Sequence, residues 1–470
     1  MRYSTDSRGK QKTSREGCPA KQRVEPEGKR GALSASAASA SGRTGDLQAH
    51  NLLERILDRE NLNQAYRRVK ANGGSPGVDG MGTAELLPYL MKQGTALRQE
   101  ILEGRYTPAP VRRTEIPKPG GGGSKLGIPT VQDRMIQQAM AQVLTPLFDP
   151  GFSAHSYGFR PGKSAQDALN QAREYIENGA QWVVDIDLAR YFDTVNHDKL
   201  MSLVTRKVQD KRVLKLIRAY LQSGVMANGV VVETEEGCPQ GGPLSPLLSN
   251  IMLDELDKEL EKRGHTFCRY ADDCNIYVRS RRAGERVMES VTTFLERSLK
   301  LTVNREKSAV DRPWKRKFLG FSFYTKQGEV GIRIHAKPVS QFKERVREIL
   351  GRSNGRSTPQ RVEALNRFTA GWLNYFALAD MKRLARSLDE WMRRRFRMCI
   401  WKQWRKIKTR HDNLVKLGLA DKEAWKFANT RKGYWRISNS PILTRTLTNT
   451  FFSQLGVVSL TERYRLLRSS

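Results

Sequence analysis

Asp272 and Asp273 sit side by side in the stretch Phe267-Cys268-Arg269-Tyr270-Ala271-Asp272-Asp273-Cys274-Asn275-Ile276-Tyr277-Val278. Runs of β-forming residues flank the acids, the pattern of a β-hairpin with carboxylates at its turn. Far upstream, Val183-Val184-Asp185-Ile186-Asp187 is a second apolar run that ends in acid. If the two elements lie side by side, three carboxylates converge on one edge of a sheet. Two unit charges about 4 Å apart repel by roughly 4 kcal/mol at an effective dielectric near 20. Three together call for a cation. Hard oxygen ligands with a substrate phosphate nearby favour Mg²⁺, and two such ions can activate an attacking oxygen and stabilise a leaving one. The sharp reading is nucleotidyl transfer. The plain reading is an acid pair solvated in a polar turn.

Composition narrows the choice. At 470 residues the chain is too long for one core, so two to four structural units are expected. Lys and Arg number 82 against 49 Asp and Glu, a formal charge of +33. A charge that large self-repels unless a polyanion is bound, so nucleic acid is the natural partner, with strongly salt-dependent binding. No apolar run of about 18 residues and no secretory core is found, so no membrane partner is expected. The expected compartment is the cytoplasm. Five scattered cysteines without a CxxC pair fit a reducing compartment and small core residues. They also argue against zinc fingers and HNH-type nucleases.

Residues 1–45 lack apolar periodicity and read as a disordered basic tail. An amphipathic helix is predicted from Leu52 to about Val69, ending at the turn Asn72-Gly73-Gly74-Ser75-Pro76-Gly77. Residues 108–129, rich in Pro and Gly, read as a mobile basic loop. Helices are predicted over about 131–148, 163–177, 197–223, 246–263 and 283–299. Strands are predicted over 181–187, on both arms of the acid hairpin, and over about 317–325 and 330–335. The middle of the chain thus reads β-α-β-β-α-β, the split βαβ arrangement. After Pro338 the pattern is mostly helical. From Met381 to Arg410 twelve Lys and Arg face two acids, with Trp391, Phe396, Trp401 and Trp404 interleaved. That pattern favours RNA or DNA contact over aromatics merely buried in a core.

Motif order then carries a resemblance that covers roughly residues 50–470. The blocks are Asn72 to Gly80, Ile116-Pro117-Lys118-Pro119 through Arg134, Ser156-Tyr157-Gly158-Phe159-Arg160-Pro161-Gly162-Lys163-Ser164 and the Asp187 strand. Gly237-Cys238-Pro239-Gln240-Gly241-Gly242-Pro243-Leu244-Ser245-Pro246, Tyr270-Ala271-Asp272-Asp273, Lys307 and Phe318-Leu319-Gly320-Phe321 follow. Gly371-Trp372-Leu373-Asn374-Tyr375-Phe376 resembles a maturase, or X, region, the counterpart of a polymerase thumb. In this order the chain resembles the bacterial group II intron-encoded reverse transcriptases and maturases, of the nuclease-lacking type.

The resemblance implies an α+β right-hand polymerase, with fingers and a split βαβ palm over 46–336 and a helical thumb or maturase domain over 337–435. Residues 436–470 would form a small C-terminal region for which DNA binding is the expected role. It implies catalytic carboxylates at Asp187, Asp272 and Asp273, and two Mg²⁺ ions at Asp187, Leu188, Asp272 and Asp273. Nucleotide contacts fall to Lys118, Lys125, Phe192, Gln240 and Lys307. Phe192 resembles the gate that clashes with a ribose 2′-hydroxyl, against the plainer reading of a core phenylalanine. Gln240-Gly241-Gly242 lacks bulk, so a nucleotide or template could approach its backbone. The family usually has Arg six residues beyond Lys118. Here Ser124 stands there and Lys125 is next, and lysine lacks the bidentate fork. The implied function is copying of group II intron RNA into DNA from dNTPs and a DNA primer or target, with assistance to intron splicing. The alternatives are a splicing-only RNA-binding maturase, a reverse transcriptase adapted to defence or repair, and an RNA-dependent RNA polymerase.

Overall fold

The computed structural model describes residues 51–469, except 118–122, 228–229 and 233, and describes no side chain within 116–125. The tail expected over 1–45 lies outside the described residues.

The central sheet has the strand order β6-β7-β3-β8: β3 is Trp182–Ile186, β6 Thr266–Tyr270, β7 Asp273–Val278 and β8 Ala309–Asp311. All its pairings are antiparallel, with β3 between β7 and β8. Helices join these strands in the order β-α-β-β-α-β, so the split βαβ palm holds. Its fourth strand is β8, which the sequence pattern did not reveal. Three residues are too few for a readable alternation. The two strands predicted later, β9 (Phe321–Lys326) and β10 (Glu329–Ile334), form a separate hairpin.

The palm sheet divides two cores. Val184, Ile186, Phe267, Cys274 and Ile276 join a cluster with the helices Val131–Phe148, Ser245–Lys262 and Arg281–Ser298. Val183, Cys268 and Tyr277 join a second cluster with the helix Ala165–Glu177, the β9–β10 hairpin and the C-terminal helices. Alternation along β3 therefore turns Asp185 and Asp187 toward the second side, with Val183.

Two other expectations change. The helix predicted from Leu52 to Val69 is two helices, Leu52–Ile56 and Arg59–Asn72. Asp58 ends the first continuity because its carboxylate accepts from the backbone N–H of Glu60 and Asn61. The expected mobile loop at 108–129 is largely a hairpin of β1 (Val111–Pro117) and β2 (Gly123–Ile128). It is steadied by β4 (Val225–Ala227), which pairs in parallel with β1 and antiparallel with β5 (Val230–Val232). No local signal announces such a partner more than a hundred residues away.

Beyond Ile334 the described residues are helical and contain no strand. Of the interleaved aromatics, Phe396 and Trp401 are buried in the core. Trp391 and Trp404 are only half-buried. The last helix is tied to helix Lys382–Gln403 by Asp389, which accepts from Ser459 Oγ and from the backbone N–H of Leu460 and Thr461. The four described cysteines are buried and free. No helix among the described residues is long and apolar enough to cross a membrane.

His411 supplies a pH-dependent contact within this helical region. Its Nδ1 lies 3.0 Å from Asp412 and its Nε2 2.8 Å from Asp421. The Asp412 carboxylate first, and Asp421 with it, hold the imidazole above its ordinary pKa. Because the folded value is the higher one, this contact stabilises the fold fully below the ordinary histidine range and fades as pH rises through the folded value. NMR titration is expected to place His411 above an unperturbed histidine, and Asp421→Asn together with Asp412→Asn should bring it down.

Candidate active site

β3 and β7 pair in the register Asp185 with Asn275 and Ile186 with Cys274. The next step of that ladder brings Asp187 beside Asp273. Tyr270 pairs with Asp273, so Ala271 and Asp272 form a two-residue turn, with Ala271 left-handed at φ 55°. The hairpin with acids at its turn is therefore present, and the palm register sets it beside the end of β3.

The electrostatics report the crowding. Burial, with the Asp185 carboxylate next and those of Asp272 and Asp187 behind it, pushes Asp273 up to about 8, against the pull of Lys317. Asp187 is more open, with 42% of its side chain exposed. Its backbone N–H donates to Ser308 Oγ (3.0 Å) and its carbonyl accepts from the Asn304 N–H (2.8 Å), which fixes the strand end. Lys307 Nζ lies 3.9 Å from Asp187 Oδ1, so this lysine faces the acid at the strand end. Asp185 shares their face but is already engaged. Arg316 donates to its Oδ2 from Nε at 2.8 Å and reaches the Lys307 carbonyl from Nη2 at 2.7 Å.

An all-oxygen donor set under mutual repulsion suits a hard divalent ion. Among the described residues, however, no group of three or more His, Cys, Asp or Glu is gathered closely enough to hold a metal. The residues fit the ion in donor chemistry, and their side chains do not form a closed cage here. Leu188 has its side chain buried in the core, so its carbonyl oxygen is the donor it can offer.

The other sequence-implied residues separate into three groups. Phe192 lies on the short helix Tyr191–Thr194 directly after the acid strand. It is half-buried, edge-on to Tyr191 at 5.1 Å between ring centres, so it is not wholly absorbed into the core. Gln240 lies beside the β2 strand, its carbonyl accepting from the Gly127 N–H at 3.0 Å. The neighbouring glycines have a packing reason that the sequence reading did not foresee. Gly241 has φ 134° and an added Cβ would fall 2.4 Å from the Gly127 carbonyl oxygen, while one on Gly242 would strike Gln137. The chain's own backbone and the Gln137 side chain lie against these positions. Lys118 lies outside the described residues, as does the side chain of Lys125.

A supporting shell escaped the sequence reading. Arg269 is fully buried and donates to both oxygens of Asp257 (2.7 and 2.5 Å), to Asn250 Oδ1 (3.1 Å), to Ser156 Oγ (2.8 Å) and to the Ala271 carbonyl (3.0 Å). One guanidinium thus ties the acid turn to helix Ser245–Lys262 and to the Ser156 loop. Asn250 Nδ2 also donates to the Gly158 carbonyl (2.9 Å), and a Cβ at Gly158 would lie 2.4 Å from the Ala271 nitrogen. The signal was available: Arg269 shares the strand face of the apolar Phe267, and a charge at an inward position requires a partner.

Comparison with known proteins identifies the family. Residues 116–323 match the family described as reverse transcriptase (RNA-dependent DNA polymerase), and 339–418 match the group II intron maturase-specific domain. Protein YkfC of Escherichia coli is 35% identical over 304 aligned positions, covering 56% of this chain and 80% of that protein. The group II intron-encoded protein LtrA of Lactococcus lactis is 40% identical over 161 positions, covering 34% of this chain and 27% of LtrA. A putative COX1/OXI3 intron 1 protein of Saccharomyces cerevisiae is 33% identical over 220 positions, covering 45% of this chain and 25% of that protein. The match thus spans about a quarter of the last two relatives' lengths. With a reverse transcriptase palm followed by a maturase-specific domain, the chain belongs to the group II intron-encoded reverse transcriptases and maturases.

Proposed function

We propose that this protein copies group II intron RNA into DNA and assists splicing by binding the same RNA. The observation that carries the reading is the set of carboxylates at one end of the palm, where burial and then the charges of Asp185, Asp272 and Asp187 push Asp273 up, with Lys307 3.9 Å from Asp187. Asp187, Asp272 and Asp273, with the Leu188 carbonyl, are the groups that would hold two Mg²⁺ ions. Bound there, the ions would supply activation of a primer 3′-hydroxyl and stabilisation of the leaving oxygen.

The chain's own residues do the rest. Phe192, directly after the acid strand, excludes a ribose 2′-hydroxyl and so selects dNTPs. Lys307 offers a mobile point charge to the triphosphate. Lys118, Lys125 and Gln240 complete the nucleotide contacts on the finger side. The +33 charge draws the RNA template and the DNA primer or target electrostatically, and suits residence at the nucleoid.

Primer extension on an RNA template with dNTPs and Mg²⁺ tests the reading. Wild-type protein is expected to yield cDNA and to reject rNTPs. Absence of cDNA removes the polymerase assignment, and efficient rNTP incorporation removes the gate at Phe192.

A further inference from the structure

The thumb carries a cluster of arginines and aromatics that the polymerase site does not use. Helix Lys382–Gln403 presents Trp391, Arg394 and Arg395 at helical spacing, on one face. The short helix Tyr434–Ile437 lays Trp435 against them. The Arg394 guanidinium sits 3.9 Å from the Trp435 ring centre, and that of Arg395 is 5.8 Å from the same ring and 5.5 Å from Trp391. Arg347, from helix Ala336–Ile349, approaches Trp391 at 5.8 Å, and Arg352 approaches Tyr434 at 5.5 Å.

Charge is what makes the cluster unusual. Among the described residues no carboxylate forms an ion pair with Arg347, Arg352, Arg394 or Arg395, although ion pairs are common elsewhere on this surface, as at Arg206–Glu255 and Arg367–Glu363. The Nε groups of Arg394 and Arg395 are buried without a hydrogen-bond partner. Burial, joined by the charge of Arg347, holds Arg395 below the ordinary guanidinium range. Four cations are thus gathered around aromatic faces with no ion-paired carboxylate among the described residues, and Arg394 Nη2 donates only to the neutral Trp435 carbonyl at 3.4 Å. Trp435 keeps 38% of its surface in solvent, so its indole remains available at the rim.

We propose that Trp435, with Arg394, Arg395 and Arg347, forms a binding site for an unpaired nucleobase and its flanking phosphates. The base would stack on the exposed part of the indole and the guanidiniums would take the phosphate oxygens. The site lies outside the palm and rests on the reading of the chain as a nucleic-acid enzyme. Its ligand chemistry is common to single-stranded RNA and DNA.

The test measures affinity for an unstructured oligonucleotide of roughly 12 nucleotides, within the span such sites cover, as RNA and as DNA of the same sequence. Trp435→Ala is expected to weaken binding about tenfold and Trp435→Phe to restore most of it, since one stacked base accounts for that range. Arg394→Ala is expected to flatten the salt dependence by about one phosphate contact. Loss confined to RNA identifies RNA as the ligand, and equal loss on both identifies single strands in general. Trp425 is also exposed but stacks on His411 at 4.0 Å, away from these arginines in contact, so Trp425→Ala is expected to bind as wild type. The proposal is overturned if Trp435→Ala keeps wild-type affinity and salt dependence, if Trp435→Phe loses as much as Trp435→Ala, or if Trp425→Ala loses equally. Melting temperature confirms that each variant is folded. Wild-type cDNA synthesis reads the polymerase assignment separately, so failure of one is not failure of the other.

Discussion

Asp272→Asn is expected to abolish cDNA synthesis while leaving the protein folded and able to bind RNA. Asparagine keeps the shape of the turn between Tyr270 and Asp273 and removes its charge. Charge neutralisation at developing oxyanions is worth several kcal/mol in metal-assisted phosphoryl transfer, and each 1.4 kcal/mol or so is a tenfold change in rate. The loss should be about 10³-fold or more in single-turnover extension. Stability should move little or rise, because Asp272 adds to the repulsion felt by Asp273. Asp187→Asn should behave alike, with the added loss of the Lys307 partner. Extension by either variant at the wild-type rate would remove these carboxylates from the chemistry. If the Asp272→Ala, Asp273→Ala pair still supports intron splicing in the host, splicing is separable from copying.

Replacing Arg269 is expected to damage both the fold and the rate, and the two can be separated. Arg269→Ala leaves Asp257 charged, buried and unpaired, at a cost of about 3–5 kcal/mol of stability. Arg269→Lys should fare little better, because a point charge cannot serve both Asp257 oxygens, Asn250, Ser156 and Ala271 together. The paired variant Arg269→Met, Asp257→Leu exchanges the ion pair for apolar packing, and such exchanges are often neutral. Thermal melting should therefore recover in the pair. Polymerisation should not, because the Ala271 carbonyl has lost the donor that holds the turn. A misplacement of about 1 Å is enough for roughly 100-fold. Full recovery of rate in the folded paired variant would reduce Arg269 to a purely structural role.

Much of the site could be read along the chain because its signals are local. Asp272 and Asp273 interrupt two β-forming runs, and a two-residue turn needs only neighbours. The helices Val131–Phe148 and Ala165–Glu177 begin where Thr130 and Ser164 cap them, again a matter of a few residues. Where a signal was misread, a competing local force explains it. Asp58 breaks the first helix by capping the second.

What remained hidden was long-range. The strand β8 is too short to show a period and exists because β3 pairs with it. β1 and β2 look like a loop until β4 arrives alongside. Arg269 reads as one cation among 82 until Asp257, Asn250 and Ser156 close around it. By itself the sequence determined which residue types can do the chemistry and which turns and caps start and stop the elements, since sterics and hydrogen bonding act there over a few bonds. Only the tertiary structure decided that the end of β3 meets the acid turn, that Asp185 belongs to Arg316, and that Phe396 and Trp401 are core. Pairing register and burial depend on partners distant in sequence, and no local pattern encodes them.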